Sequence, residues 1–381
     1  VIALLTIARV GARNEVEPGC SGFAHFFEHM MFKGTKAFPG KARDQVLMRV
    51  GAESNAFTSD DFTCYHVVAG ASNLDHLLQI ESDRFQNLEY SPEALKNEAP
   101  VILGEYQKDA SSPFMKLFEK LQETAFTKHP YRHTVIGFKE DIEAMPEKYD
   151  YSRAFYQRYY RPDNCIILFV GDVKSQPIPQ LVQKYYGAWK SQGTPVVIPE
   201  EPKQTSERQA KIEWPSPTQP LLVMGYHVPA FSESSRDVAA LTLLNQVLFS
   251  SIAPLYQELV LKEQLVEFVS GGFDGHRDPS LYTILSRIKD PEKVKDVQTR
   301  VEKALAEIVA NPPSGKRLEE FKSNLRYSKT MEMTTPAGTG FALASFLQLT
   351  GKPESMNQFY EELEKVRSED LKQVVSTYLI P

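Results

Sequence analysis

At 381 residues the chain is too long for one core of ordinary size, and two domains of roughly 150–200 residues are expected. Its 42% apolar and 24% charged residues can bury a large core, which excludes a disordered or fibrous chain. A formal net charge of -6 offers no basic face and argues against nucleic acid as a partner. Cys20, Cys64 and Cys165 are too few and too scattered for a disulfide framework or a thiolate zinc site. No stretch approaches the ~20 consecutive apolar residues of a membrane span.

In chain order, an apolar run of strand length comes first, Val1 to Ile7, and the abrupt opening reads as a mature or trimmed form. Gly22 to Phe32 has no Pro or Gly after its start and is stopped by Gly34 and Pro39, which predicts a helix. Phe62 to Val68 alternates as a strand and leads into a helical pattern, Asn73 to Phe85. A further helix runs from Pro92 to Asp109, with Ser91 as its N-cap and Pro92 in the first position. An amphipathic helix ends at Tyr159-Tyr-Arg-Pro162, and the strand Cys165 to Val170 follows. Gln192 to Lys211, rich in Pro, Glu, Thr and Ser, reads as a linker.

The second half repeats the order. A strand at Leu281 to Ile288 precedes helices at Glu292 to Val309 and Leu318 to Met331, and a last helix ends at Tyr378-Leu-Ile-Pro381. Phe62 matches Leu281 and Tyr159 matches Tyr378 at one offset of about 219 residues, which suggests duplicated domains. The expected division is 1–191, a linker at 192–211, and 212–381. Each domain is expected to be α+β, a mostly antiparallel sheet with helices packed on one side, and only the first carries a metal motif.

That motif is His25-Phe-Phe-Glu28-His29. Residues at i, i+3 and i+4 share one helical face, so His25 and His29 can offer ring nitrogens to one zinc ion at about 2.0–2.1 Å, with Glu28 beside its water. Phe23, Phe26, Phe27, Met30, Met31 and Phe32 cover the other faces and predict a buried, rigid helix. A lone histidine on such a helix is more often core than ligand. The complete H-x-x-E-H spacing favours metal, and it requires a third ligand. Glu98 and Glu105 lie two turns apart on the Pro92 helix and would face the same way. A solvated charged face is the competing reading, and apolar Val101-Ile-Leu103 beside Glu105 speaks against it. Pro100 inside that helix costs about 3 kcal/mol or forces a kink. His66, His76, His227 and His276 stand apart and read as structural or surface residues.

Gly22-Phe-Ala-His25-Phe-Phe-Glu28-His29-Met-Met-Phe-Lys-Gly-Thr35 resembles the signature of the inverzincins, the pitrilysin, insulinase and mitochondrial-processing-peptidase type of zinc peptidase. The resemblance covers essentially the whole chain; His129-Pro-Tyr131 and Ile136-Gly137 also fit it. It implies one Zn2+ per chain, with Glu105, about 75 residues after His29, as the third ligand. It implies that Glu98 supports catalysis alongside Glu28, the general base for a zinc-bound water. Gly51 to Thr58 resembles the family's edge strand, so Asn55, Ala56, Phe57 and Thr58 are expected to pair with substrate backbone. The implied activity is that of an endopeptidase on extended oligopeptides or unfolded segments.

The resemblance also implies that two similar domains form half of a clamshell, closed by a paralogous subunit or, alternatively, by a second copy. One departure favours the paralogue. The family's second domain carries an Arg and a Tyr in a segment like R-E-x-G-L-A-Y, and the matching stretch here is Lys262-Glu-Gln-Leu-Val-Glu-Phe268. Lysine lacks the bidentate fork and phenylalanine the hydroxyl, so a partner is expected to supply that pair. The rival reading is a non-catalytic assembly subunit on the same fold, which the intact metal motif disfavours. Similar two-chain bacterial members imply a periplasmic location, with the cytoplasm as alternative.

Overall fold

The computed structural model describes residues 1–191, 193–194 and 196–380. Its contacts divide the chain into two units. One comprises Val1–Ser111, Phe126–Pro202 and Glu332–Gly351; the other comprises Ser112–Ala125, Lys203–Met331 and Lys352–Pro381. Both are α+β with antiparallel sheets, the expected class.

The first sheet contains β1 (Ile2–Ala8), β2 (Glu53–Thr58), β3 (Thr63–Ala69) and β4 (Cys165–Gly171), in the order β2-β3-β1-β4. β1 pairs with β3 from Ile2 opposite Ala69 and with β4 from Ile2 opposite Gly171. All seven residues of β1 are buried, which is why it reads as a continuous apolar run rather than an alternating one. Side chains leave a strand on alternate faces. Ile2 and Leu4 pack with Leu77, Leu78 and Tyr186 on one face, whereas Ala3, Leu5 and Ile7 meet Ala344 and Leu347 on the other. That second cover is the helix Pro336–Thr350, from the far end of the chain, so helices pack on both faces of this sheet and not on the one side expected. It comes so near β1 that a Cβ on Gly340 would stand 2.7 Å from Leu5 Cδ1.

The second sheet contains β5 (Leu221–Val228), β6 (Val266–Phe273) and β7 (Ser280–Ile288), in the order β5-β7-β6. The helix Pro113–Ala125 packs against β5, where a Cβ on Gly225 would lie 3.0 Å from Leu121 Cδ1. The helix Arg236–Phe249 packs against β6 and is buried along most of its length. It opens the stretch Arg236–Lys262, long and apolar enough to match a membrane span, and just over half of its most apolar window is buried here, as in a core helix.

The contiguous division at 192–211 therefore differs from the observed one, because each half lends one helix to the sheet of the other. Periodicity shows that a helix has an apolar face; it does not say which sheet that face will cover. Within the expected linker, Gln192 and Pro195 lie outside the described residues, and the remainder forms neither helix nor strand. Its Glu201 carboxylate accepts the backbone N–H groups of Thr127, Lys128 and His129 at 2.8–3.0 Å, fixing it to the first unit.

Overpacking a close contact costs about 1–3 kcal/mol. Gly340→Leu should lower stability by about that amount in urea unfolding; an unchanged midpoint would show that the helix and β1 do not pack as described.

Candidate metal centre

The motif helix spans Phe23–Met30, two residues shorter at its end than Gly22 to Phe32 suggests. Its Phe23, Phe26, Phe27 and Met30 are fully buried, in one cluster with Leu95, Ala99, Ile102 and Tyr106 from the helix Pro92–Ala110. This shared core sets the spacing of the two helices. Ser91 Oγ accepts from Ala94 N–H as the N-cap, and the Pro92 helix runs through Pro100 without ending.

His25, His29 and Glu105 converge. Their ligating atoms all lie within 4.8 Å of one another. Glu105 Oε2 is 3.5 Å from His25 Nε2 and 3.4 Å from His29 Nε2. A tetrahedral ion about 2.0–2.1 Å from each donor would hold them roughly 3.3–3.4 Å apart, so two imidazoles and a carboxylate so spaced fit zinc. The histidines are mostly buried and Glu105 is 43% exposed, so the triad has an open side.

The two histidines are tuned oppositely. Burial and the neighbouring His29 push His25 down to about 4, so it is neutral near pH 7, as a ligand must be. Its Nδ1 is buried without a hydrogen-bond partner among the described residues. His29 is raised, chiefly because its Nδ1 lies 2.9 Å from Glu98 Oε1. That contact puts the proton on Nδ1 and leaves Nε2 for the metal. Glu98 is itself buried, and its other oxygen pairs with Lys33. Glu98, expected to support catalysis, thus contacts His29 and Lys33. Sequence reasoning passed over Lys33, whose distance to Glu98 in the chain hides the pair.

Glu28 sits on the same helix, half-buried. Burial raises its proton affinity, opposed by Thr58, whose Oγ1 donates to Oε2 at 2.6 Å. Thr58 ends β2, which pairs only with β3 among the described residues and so presents a free edge. Ala56 and Thr58 turn toward the motif helix, while Asn55 and Phe57 are exposed. Asn55 Oδ1 also accepts from Ala56 N–H at 2.9 Å.

The remaining expected residues lie in the second unit. Lys262 ends the helical stretch Gln257–Lys262, and Gln264 just beyond has φ 52°. Phe268 pairs with Arg287 across β6 and β7, and the Arg287 guanidinium lies 5.8 Å from its ring centre.

A proton on His29 excludes the metal, so zinc affinity should be flat above the raised pKa of His29 and weaken about tenfold per pH unit below it. Glu98→Gln removes the main upward influence on His29. The break should then move to lower pH while affinity above it weakens by about 10–100-fold. Chelator competition across pH reads both, and an unmoved break would show that Glu98 does not govern this proton.

The chain is similar to known proteins in both sequence and fold. Residues 3–138 match the family model described as insulinase, peptidase family M16, and residues 148–325 match the peptidase M16 inactive domain. The zinc protease PqqE of Helicobacter pylori is 29% identical over 389 residues, covering 99% of this chain and 86% of that protein. The crystal structure of a protease from Helicobacter pylori superimposes with a TM-score of 0.91 at 28% identity, covering 99% and 91% of the two chains. The periplasmic protease PqqL from Escherichia coli shares the fold, with a TM-score of 0.73 at 20% identity; this chain covers 43% of it. The chain belongs to peptidase family M16.

Proposed function

We propose that the chain is a zinc metalloendopeptidase that holds one Zn2+ at His25, His29 and Glu105 and uses Glu28 as general base. The observation that carries this reading is the meeting of those three donors at ligand spacing beside a carboxylate tied to a free strand edge. When bound, zinc supplies Lewis acidity to the scissile carbonyl and acidifies the attacking water.

The chain's own residues supply the rest. Thr58 occupies one oxygen of Glu28, which leaves Oε1 to take the proton of the water and later deliver it to the leaving amine. A partly buried carboxylate with raised proton affinity suits both transfers. Glu98 and Lys33 hold the ring of His29. An extended peptide adds to the free edge of β2 at Asn55 to Thr58 through backbone hydrogen bonds, which favours unfolded or flexible segments and broad sequence tolerance. Because Thr58 belongs both to that strand and to the base, docking the peptide and placing the water are mechanically linked.

A paralogous subunit completes the enzyme in this reading, with a homodimer as the alternative. Lys262 and Phe268 support it, since neither restores a guanidinium fork or a phenol. So does the similarity to less than half of a longer protease chain. The periplasm is the proposed location, on the printed description of that protease.

A quenched fluorescent peptide with the zinc-loaded chain tests the reading. Cleavage by the chain with its partner, abolished by a chelator, is expected. Glu28→Gln should retain zinc and lose about 10²–10⁴-fold in kcat. Retained turnover would remove Glu28 from its role, and full activity of the purified homodimer would remove the partner requirement.

A further inference from the structure

The motif helix begins in a way that leaves its first ligand exposed to fraying. Gly22 is the N-cap, at φ 89°, and has no side chain with which to accept a free N–H. The helix has only eight residues, and His25 is the third of them. End turns are the least constrained part of a short helix.

Glu15 makes the missing contacts from outside. Its Oε2 accepts the Gly22 N–H at 2.7 Å and its Oε1 the Ala24 N–H at 2.6 Å. The side chain is buried, so water does not compete for these donors. When ionised, its carboxylate faces the positive end of the helix. Burial pushes the carboxyl up to about 8, while the N–H groups of Ala24, Gly22 and Phe23 pull it back. Both oxygens face N–H donors, an arrangement that suits the ionised form.

The surroundings hold this clasp in place. Glu15 N–H donates to Ala12 O, and His133 Nε2 lies 3.7 Å from Glu15 Oε2. On the other side, Ser21 donates to Asp141 Oδ2 from its N–H at 3.0 Å and its hydroxyl at 2.6 Å, and it accepts from Phe138 N–H at 2.8 Å. Gly137, at φ 92°, passes so near that a Cβ there would stand 2.7 Å from Gly22 N.

We propose that Glu15 is a positioning residue of the metal centre, clasping the first turn of the motif helix so that His25 stays aimed at the site it shares with His29 and Glu105. The proposal rests on the reading of His25 as a ligand. Two acceptors are required. Glutamine offers one, and its NH₂ group would face an N–H donor. Aspartate keeps two acceptors but is one methylene shorter.

The test compares the full chain with Glu15→Gln, Glu15→Asp and Tyr159→Phe. The last removes a buried hydrogen bond to Asn14 O, beside Glu15, without touching the helix. Zinc affinity is measured by chelator competition, and the visible spectrum of the Co2+-substituted protein reports ligand geometry. Glu15→Gln should weaken zinc binding by at least about tenfold and alter the cobalt bands, Glu15→Asp should do so by less, and Tyr159→Phe should leave both unchanged. Should Glu15→Gln fail to fold, Glu15→Asp carries the same expectation. Unaltered affinity and spectrum in the folded Glu15 variants, or an equal change in Tyr159→Phe, would overturn the proposal. A wild type that binds no zinc would overturn the metal assignment itself, a result separate from either.

Discussion

Phe27 lies nearly parallel to Phe155, ring centres 5.8 Å apart, with Tyr156 and Tyr160 closing around it. A candidate metal centre built from two helices depends on how firmly those helices are fixed to each other, and this aromatic core does that fixing. Five of the eight motif-helix side chains are sunk into the cluster that also receives Leu95, Ala99 and Ile102 of the Glu105 helix. Close-packed interiors transmit displacement instead of absorbing it. The phenylalanines that look incidental beside the histidines are thus what sets the 3.4–3.5 Å separation of Glu105 from the two histidines.

Around that frame, electrostatics divides labour between like residues. Two histidines one turn apart meet opposite surroundings, one desolvated without a partner for Nδ1 among the described residues and the other backed by a buried carboxylate. Two glutamates on different helices diverge as well. Glu28 is pushed toward binding a proton and Glu98 is held ionised between His29 and Lys33. Environment, not residue type, sets their opposite protonation tendencies.

The motif was legible because a helix repeats every 3.6 residues, so His25, Glu28 and His29 had to share a face once the helix was recognised. The strands beginning at Phe62, Cys165 and Leu281 were legible for the same kind of reason, their edges within a residue of those observed. Glu105 needed the family resemblance, since periodicity places it on a face and cannot say what that face meets. Glu15, Lys33 and the contact of Thr58 with Glu28 stayed hidden. Each acts across a gap in sequence with no repeating pattern, and a lone polar residue before a glycine or inside a strand looks ordinary. The exchange of Pro113–Ala125 and Pro336–Thr350 between the sheets was hidden too, because sequential neighbours are the usual partners in space and here they are not.

That exchange has a consequence for synthesis. The face of β1 bearing Ala3, Leu5 and Ile7 is covered by a helix that begins at Pro336. A ribosome adding about 5–20 residues per second would take roughly 15–65 s to produce that cover after β1 has emerged. Through that interval the nascent sheet presents bare aliphatic surface to the cell. The candidate metal site, whose residues all precede Ser111, is then translated long before the sheet behind it is sealed, so a chaperone or a pause late in the message bears on a centre encoded near the start.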